Sequence, residues 1–176
     1  SALNFAMNNL PKERYDAVVI LDADNVVERN FISELNDTYH SGSQAMQAHR
    51  VPKNLNTDMA ILDAISEEIN NSIFRKGHRV LGLSSAIIGS GMAFRYEYFK
   101  TMMSKARAIG GFDKEIELKM LSERHTIEYL DDALVYDEKV QKAEVFSNQR
   151  RRWLSAQLHY FNQDFLKATK DLISKF

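Results

Sequence analysis

Cysteine is absent from this chain. No disulfide can staple it and no Cys-based zinc site can form, which fits a reducing compartment. Proline occurs twice and glycine seven times, too rarely for a low-complexity segment or a flexible linker. An excess of one charge is also lacking. The 23 basic and 24 acidic residues leave a net charge of −1, so there is no global electrostatic case for a nucleic-acid partner. No apolar run approaches the roughly 18 residues of a membrane span, and no signal peptide is visible. There is no internal repeat. The five histidines, His40, His49, His78, His125 and His159, include no H-x-x-x-H pair, so no zinc is assigned.

What is present suits one domain with a real core: 176 residues, 44% hydrophobic. The opening "SALNFAMNNL" places Leu3, Ala6, Met7 and Leu10 on one helical face. That pattern is already in progress at the first residue, so the chain is expected to be a piece of something longer. Pro11 closes this helix. Ala17 to Leu21 is a short apolar run that predicts a buried, parallel strand. Helices are predicted over 30–40, 58–74, 96–105 and 114–123, and a long one over 147–176. Strand character falls on 45–51 and 82–95, and two short strand pieces on 126–138. "IGGFD" (109–113) reads as a turn. Strands alternating with helices predict an α/β domain with a mostly parallel sheet.

The stretch "AVVILDADNVV" (17–27) ends its apolar run on Asp22 and Asp24. Ligands of open α/β sheets bind outside the carboxyl ends of strands. In an extended chain, residues i and i+2 point the same way, so both carboxylates can face one ligand. Hard oxygens suit Mn²⁺ or Mg²⁺, which keep coordination positions for substrate phosphates. With 12 aspartates in the chain, about one D-x-D is expected by chance. An ordinary strand end with solvated carboxylates is the plainer alternative. An EF-hand loop is excluded, because Val26 and Val27 stand where a ligand and a glycine are needed.

Near the other end lies "QRRRWLSAQ" (149–157), with "GSGMAFR" (89–95) and "GGFDKEIELKML" (110–121) between. In this order behind the D-x-D, these motifs resemble family 2 glycosyltransferases, specifically the membrane-linked branch of cellulose, chitin, hyaluronan and poly-N-acetylglucosamine synthases. The resemblance runs from "ALNFA" to about residue 160. It implies a GT-A-like, Rossmann-like sheet flanked by helices, incomplete at its N-terminus. Residues 1–146 would be the C-terminal part of the catalytic domain. Residues 147–176 would be a helix carrying Gln149-Arg150-Arg151-Arg152-Trp153 and leading toward membrane spans outside this chain.

The implied reaction is inverting transfer of a sugar from a UDP-sugar to a carbohydrate or lipid-linked acceptor, in polysaccharide or glycan synthesis. Asp24 and Asp22 would hold the metal and, through it, the donor diphosphate. Gln149 and Arg152, i and i+3 on one helical face, would hold that diphosphate as well, Arg152 by its planar fork. Glu115 would be the general base, with Asp113 the alternative. The family's usual Glu-Asp pair is here Lys114-Glu115, one methylene longer at the acid. Trp153, Gly89 and Gly91 would face the acceptor.

The family's uridine-binding strands lie upstream of "SALNF". Without them the expectations are incomplete folding, pairing with another copy, or an inactive fragment. The full-length protein is expected at the cytoplasmic face of the cell membrane, held by segments outside this chain, with the chain itself soluble.

Two other readings stand beside this one. "VVILDADNVV" also resembles the first motif of haloacid dehalogenase-like phosphatases, with Asp22 as nucleophile, Asp24 as acid and "YLDDAL" (129–134) as the metal-binding pair. The other is a non-catalytic interaction domain that keeps the transferase fold. From Trp153 onward, apolar Leu154, Leu158, Phe161 and Phe165 alternate with basic residues. Such a helix can lie in a membrane interface, although core packing is the commoner use of an apolar stripe.

Overall fold

The computed structural model describes residues 2–11, 14–105 and 112–173. The first apolar helical face becomes α1 (Ala2–Asn9), which buries Met7. Then follow β1 (Ala17–Ile20), β2 (Val26–Val27), α2 (Phe31–His40), β3 (Ala45–Pro52) and α3 (Asp58–Asn70). Thr57 starts α3 in extended conformation, and its hydroxyl accepts from the Ala60 N–H at 3.1 Å, satisfying one of the helix's orphan donors. This helix does not stop at 74 as the spacing predicted. It widens into a π-helical stretch, Asn71–Gly77, and ends as the short α4 (His78–Val80). Gly77 is what admits the wide turn, because a Cβ there would sit 2.8 Å from the Ser72 carbonyl oxygen.

After a loop come β4 (Met92–Arg95), α5 (Tyr96–Lys105), α6 (Phe112–Ser122), β5 (Ile127–Asp137) and α7 (Ala143–Ile173). Of the turn expected at "IGGFD" (109–113), residues 109–111 lie outside the described residues, as does the last part of the expected terminal helix, while Phe112 and Asp113 open α6. Among the described residues, no helix is long and apolar enough to cross a membrane.

The α/β class, the helical flanks and the long terminal helix are as expected, but the strand directions are not. The sheet runs β1-β4-β3-β5-β2. Only β3 and β5 pair in parallel; β1–β4, β3–β4 and β2–β5 are antiparallel. A continuous apolar run does not encode direction, which depends on where a connection delivers the next strand. Nor is β1 buried throughout. It is last in the order, Val19 is 36% exposed, and only Ile20 of its four residues is buried. The two strand pieces expected over 126–138 are one strand with a break. Ala48 faces Leu130 while His49 faces Leu134, so residues 131–133 bulge out between matched halves.

Strand alternation sends side chains to two cores. Ala45, Met92 and Phe94 join Met7, Phe99, Met103, Ile116 and Met120, from α1, α5 and α6. Met46, Ala48, Ala93 and Val135 pack with Phe31 and Leu35 of α2 on the other face. Phe94 and Phe99 stack with ring centroids 4.8 Å apart. Truncating a ring buried like these costs about 3–5 kcal/mol. Both faces are therefore covered, and the ends of β1, β3 and β5 are held rigidly enough to carry a site.

Candidate active site

Asp22 and Asp24 do not continue the strand in extended form. The chain turns immediately, with the Asn25 N–H donating to the Asp22 carbonyl at 3.0 Å and the Asp22 N–H donating to Asn25 Oδ1 at 3.1 Å. An Asx side chain closing its own turn is the physical reason. The turn still brings the two carboxylates together, and adds a third that the motif did not announce. Single oxygens of Asp22, Asp24 and Asp137 lie within 4.8 Å of one another. Asp137 ends β5, whose parallel pairing with β3 carries it to the site.

The three acids differ electrostatically. Asp22 and Asp24 are exposed, whereas Asp137 is buried. Burial opposes the ionisation of Asp137, but Arg50 and Lys139 outweigh it and hold its carboxyl below the usual carboxylate range. Arg50 Nη2 donates to Asp137 Oδ2 in a short contact, Lys139 Nζ donates to the same oxygen at 3.1 Å, and Asn25 Nδ2 donates to Oδ1 at 3.2 Å. Glu67 then takes the other sides of these two cations, Lys139 closely and Arg50 at 3.6 Å. Partial burial pushes Asp22 the opposite way, upward; Arg50 opposes that push, and the charges of Asp137 and Asp24 add to it. Three mutually repelling carboxylates on an all-oxygen donor set fit a hard divalent cation. Asp22 and Asp24 are the residues placed to ligate it, with Asp137, already engaged by two cations, beside them.

Gln47 shapes the next loop. Its side chain is fully buried. Nε2 lies within hydrogen-bonding distance of three carbonyls, those of Ala48 (2.9 Å), Ser90 (3.0 Å) and Gly91 (3.2 Å), and Oε1 accepts from the Ile88 N–H at 3.1 Å. Ser90 in turn reaches the aspartate turn, its Oγ accepting from the Asp22 N–H at 3.0 Å. Gly91, with φ +66°, is buried, and a Cβ would meet Val135 at 3.3 Å and Gln47 at 3.4 Å. It is packed closely and is not among the residues that line the cleft. Gly89, at φ +82°, does face the cleft, opposite the Asp113 carboxylate. Gln47→Leu should orphan the Ile88 N–H and loosen the 88–91 loop, costing about 3 kcal/mol. Chemical denaturation would read the loss, and Mn²⁺ titration should show weaker binding.

A cleft of about 1460 Å³ runs between α3, the loop over 84–89, the start of α6 and α7. Asp113, Glu115, Gln149, Arg152, Trp153 and Gly89 all line it. Burial pushes the Asp113 carboxyl upward, against the pull of Lys114. Glu115 is half-buried. Gln149 Oε1 is buried and has no hydrogen-bond partner among the described residues. Arg152 is exposed and Trp153 is 44% exposed. Arg150, to which the motif assigned nothing, is the anchored arginine. It donates to Asp63 Oδ1 at 2.9 Å and Ser66 Oγ at 3.1 Å, and its guanidinium lies 4.8 Å from the ring centres of both Phe146 and Trp153. It fixes α7 against α3 and braces the indole. Arg50 links the two regions, since it lines the cleft and holds Asp137.

The "YLDDAL" acids lie elsewhere. Asp131 pairs with Lys76 and, at 3.4 Å, with His49, and Asp132 is exposed. Neither joins the aspartate cluster, so the acid pair a phosphatase would need is not assembled. Sequence reasoning missed Asp137, Arg50 and Gln47. Only the position of Asp137 at the end of an apolar strand, in "LVYDE", could have pointed to it.

An acid cluster beside a cleft lined by Gln149, Arg152 and Trp153 fits the sugar-transfer chemistry that the motifs implied. The sequence agrees: a family model described as "Glycosyltransferase like family 2" matches residues 2–156. The chain belongs to that glycosyltransferase family, whose members in general take a nucleotide-sugar donor and an acceptor. No curated protein matches the chain.

Proposed function

We propose that this domain performs inverting transfer of a sugar from a UDP-sugar to a carbohydrate or lipid-linked acceptor, in glycan or polysaccharide synthesis, within the membrane-linked branch of its family. The single observation that carries the reading is convergence: the acids of α6, Gln149, Arg152, Trp153 and Gly89 line one cleft, and Arg50 ties that cleft to the aspartate cluster. A phosphatase has no use for the Gln149–Trp153 wall.

In this mechanism Asp22 and Asp24 would hold Mn²⁺ or Mg²⁺. When bound, such an ion neutralises charge that builds on the diphosphate leaving group. Arg152 and the Gln149 amide orient the diphosphate oxygens from α7. Trp153 lays its indole against the acceptor sugar, with Gly89 giving backbone room. Glu115 takes the proton from the acceptor hydroxyl as that oxygen attacks the anomeric carbon and the C–O bond to UDP breaks. The exposed Leu154, Leu158, Phe161 and Phe165 of α7 support contact with a membrane surface, and the same proposal puts the full-length protein at its cytoplasmic face.

Trp153 is the only tryptophan, so its fluorescence reports on the cleft. Titration with UDP plus Mn²⁺ should give a saturable change that Asp24→Asn removes. Absence of any change, in this chain and in an N-terminally extended one, would reject the reading.

Proton competition supplies a further check. The raised carboxyl of Asp22 must lose its proton to ligate metal. Mn²⁺ affinity should therefore fall on acidification, and the fall should begin at higher pH than an ordinary aspartate would give. In the metal-free chain the sign reverses. Protonated Asp22 favours the fold, and that contribution is lost as pH rises through its folded pKa. Paired calorimetric titrations and melts across the carboxylate range would read both.

A further inference from the structure

Arg75 is a buried cation that the proposed reaction leaves unused. It sits in the π-helical stretch after α3, is 4% exposed and lines the cleft. Among the described residues its guanidinium makes one hydrogen bond, from Nη1 to Asn71 Oδ1 at 2.6 Å, while Nε is buried without a partner. The acids that act on it most are Glu67 and Glu117, and both are engaged elsewhere. Glu67 serves Arg50 and Lys139. Glu117 accepts from Lys114 at 2.9 Å and from the Ile87 N–H at 3.0 Å. Burial accordingly pushes Arg75 below the ordinary arginine value, although a guanidinium stays charged at any working pH.

Burying a charge without a counter-ion is costly, and packed apolar residues of similar size are often tolerated better. This fold nevertheless keeps the charge in a widened turn, a device frequent at functional sites, and Gly77 makes room for that turn. A bridging water to the nearby Tyr129 hydroxyl, itself buried without a partner, would satisfy Nε but leave the charge uncompensated. An anion in the cleft would do both, and a planar fork suits a carboxylate or phosphate.

We propose that Arg75 binds an anionic group of a substrate, a carboxylate or a phosphate other than the donor diphosphate, and so makes this domain selective for an acidic sugar or acceptor. The inference rests on the reading of the cleft as a sugar-transfer site.

The test uses the whole chain in EDTA, which removes metal-mediated binding at the aspartates. Trp153 fluorescence is followed during titration with glucuronate, inorganic phosphate and, as the neutral control, glucose. Wild type should bind at least one anion, and Arg75→Gln should weaken it at least tenfold without changing the response to glucose. If Arg75→Gln does not fold, Arg75→Lys, which keeps charge but loses the fork, should weaken binding at least threefold. Equal binding by wild type and the folded variant, or no anion binding by wild type, overturns the proposal.

Repeating the titration with UDP and Mn²⁺ present names the source. Simultaneous binding with UDP keeps the anion apart from the donor diphosphate, and exclusion by UDP-glucuronate but not by UDP assigns it to the donor sugar rather than the acceptor; exclusion by UDP itself overturns the proposal. Failure of the UDP–Mn²⁺ titration alone would count against the transferase reading and leave the Arg75 site standing. Failure of the anion titrations alone would do the reverse.

Discussion

Asp24→Asn should lower sugar transfer by about 10³-fold in the full-length enzyme, with Mn²⁺ affinity falling in parallel. The carboxamide keeps the shape and removes the charge. Charge stabilisation by a bound divalent ion contributes several kcal/mol to such a step, and each 1.36 kcal/mol is about tenfold in rate. The fold should survive, because Asp24 is exposed and it holds Lys53 through its backbone carbonyl, which the substitution leaves in place. A thermal melt would confirm that. Asp137→Asn should behave differently. It leaves Lys139, which is buried, and Arg50, whose side chain is 11% exposed, with Glu67 as their shared acid, so instability should accompany lost activity. Turnover unchanged in Asp24→Asn would remove the metal from the mechanism.

Glu115→Gln carries the second large effect. Loss of a general base costs about 10²–10⁴-fold, so kcat should drop by that amount while UDP binding, read at Trp153, stays within about twofold. The neighbouring acid makes the experiment decisive. Asp113 is buried enough for its carboxyl to be pushed upward, a property that suits a proton acceptor, and it faces Gly89 across the cleft. Asp113→Asn should change the pH profile of transfer without abolishing it. If Asp113→Asn stops transfer and Glu115→Gln does not, the base is Asp113.

Much of the local structure was legible in residue order. Helix α5 matches its expected bounds, and α3 begins at its expected Asp58. The residues of 149–153 that line the cleft are neighbours on one helix, so their grouping needs only the 3.6-residue period. Asp22 and Asp24 were found for the same reason. Residues two apart stay close whether the chain is extended or, as here, turned by Asn25.

The tertiary structure decided everything that depends on long-range pairing. Asp137 lies 113 positions beyond Asp24 in sequence, and only the parallel register of β5 on β3 brings it to the cluster. The antiparallel direction of β4, the burial of Gly91, the anchoring of Arg150 on Asp63 and the buried charge of Arg75 arise likewise from connections between distant segments. Periodicity and short motifs record which face of an element is apolar and which residues sit side by side along it. They do not record strand direction, register or counter-ions, because those are set by packing between elements that no local pattern encodes.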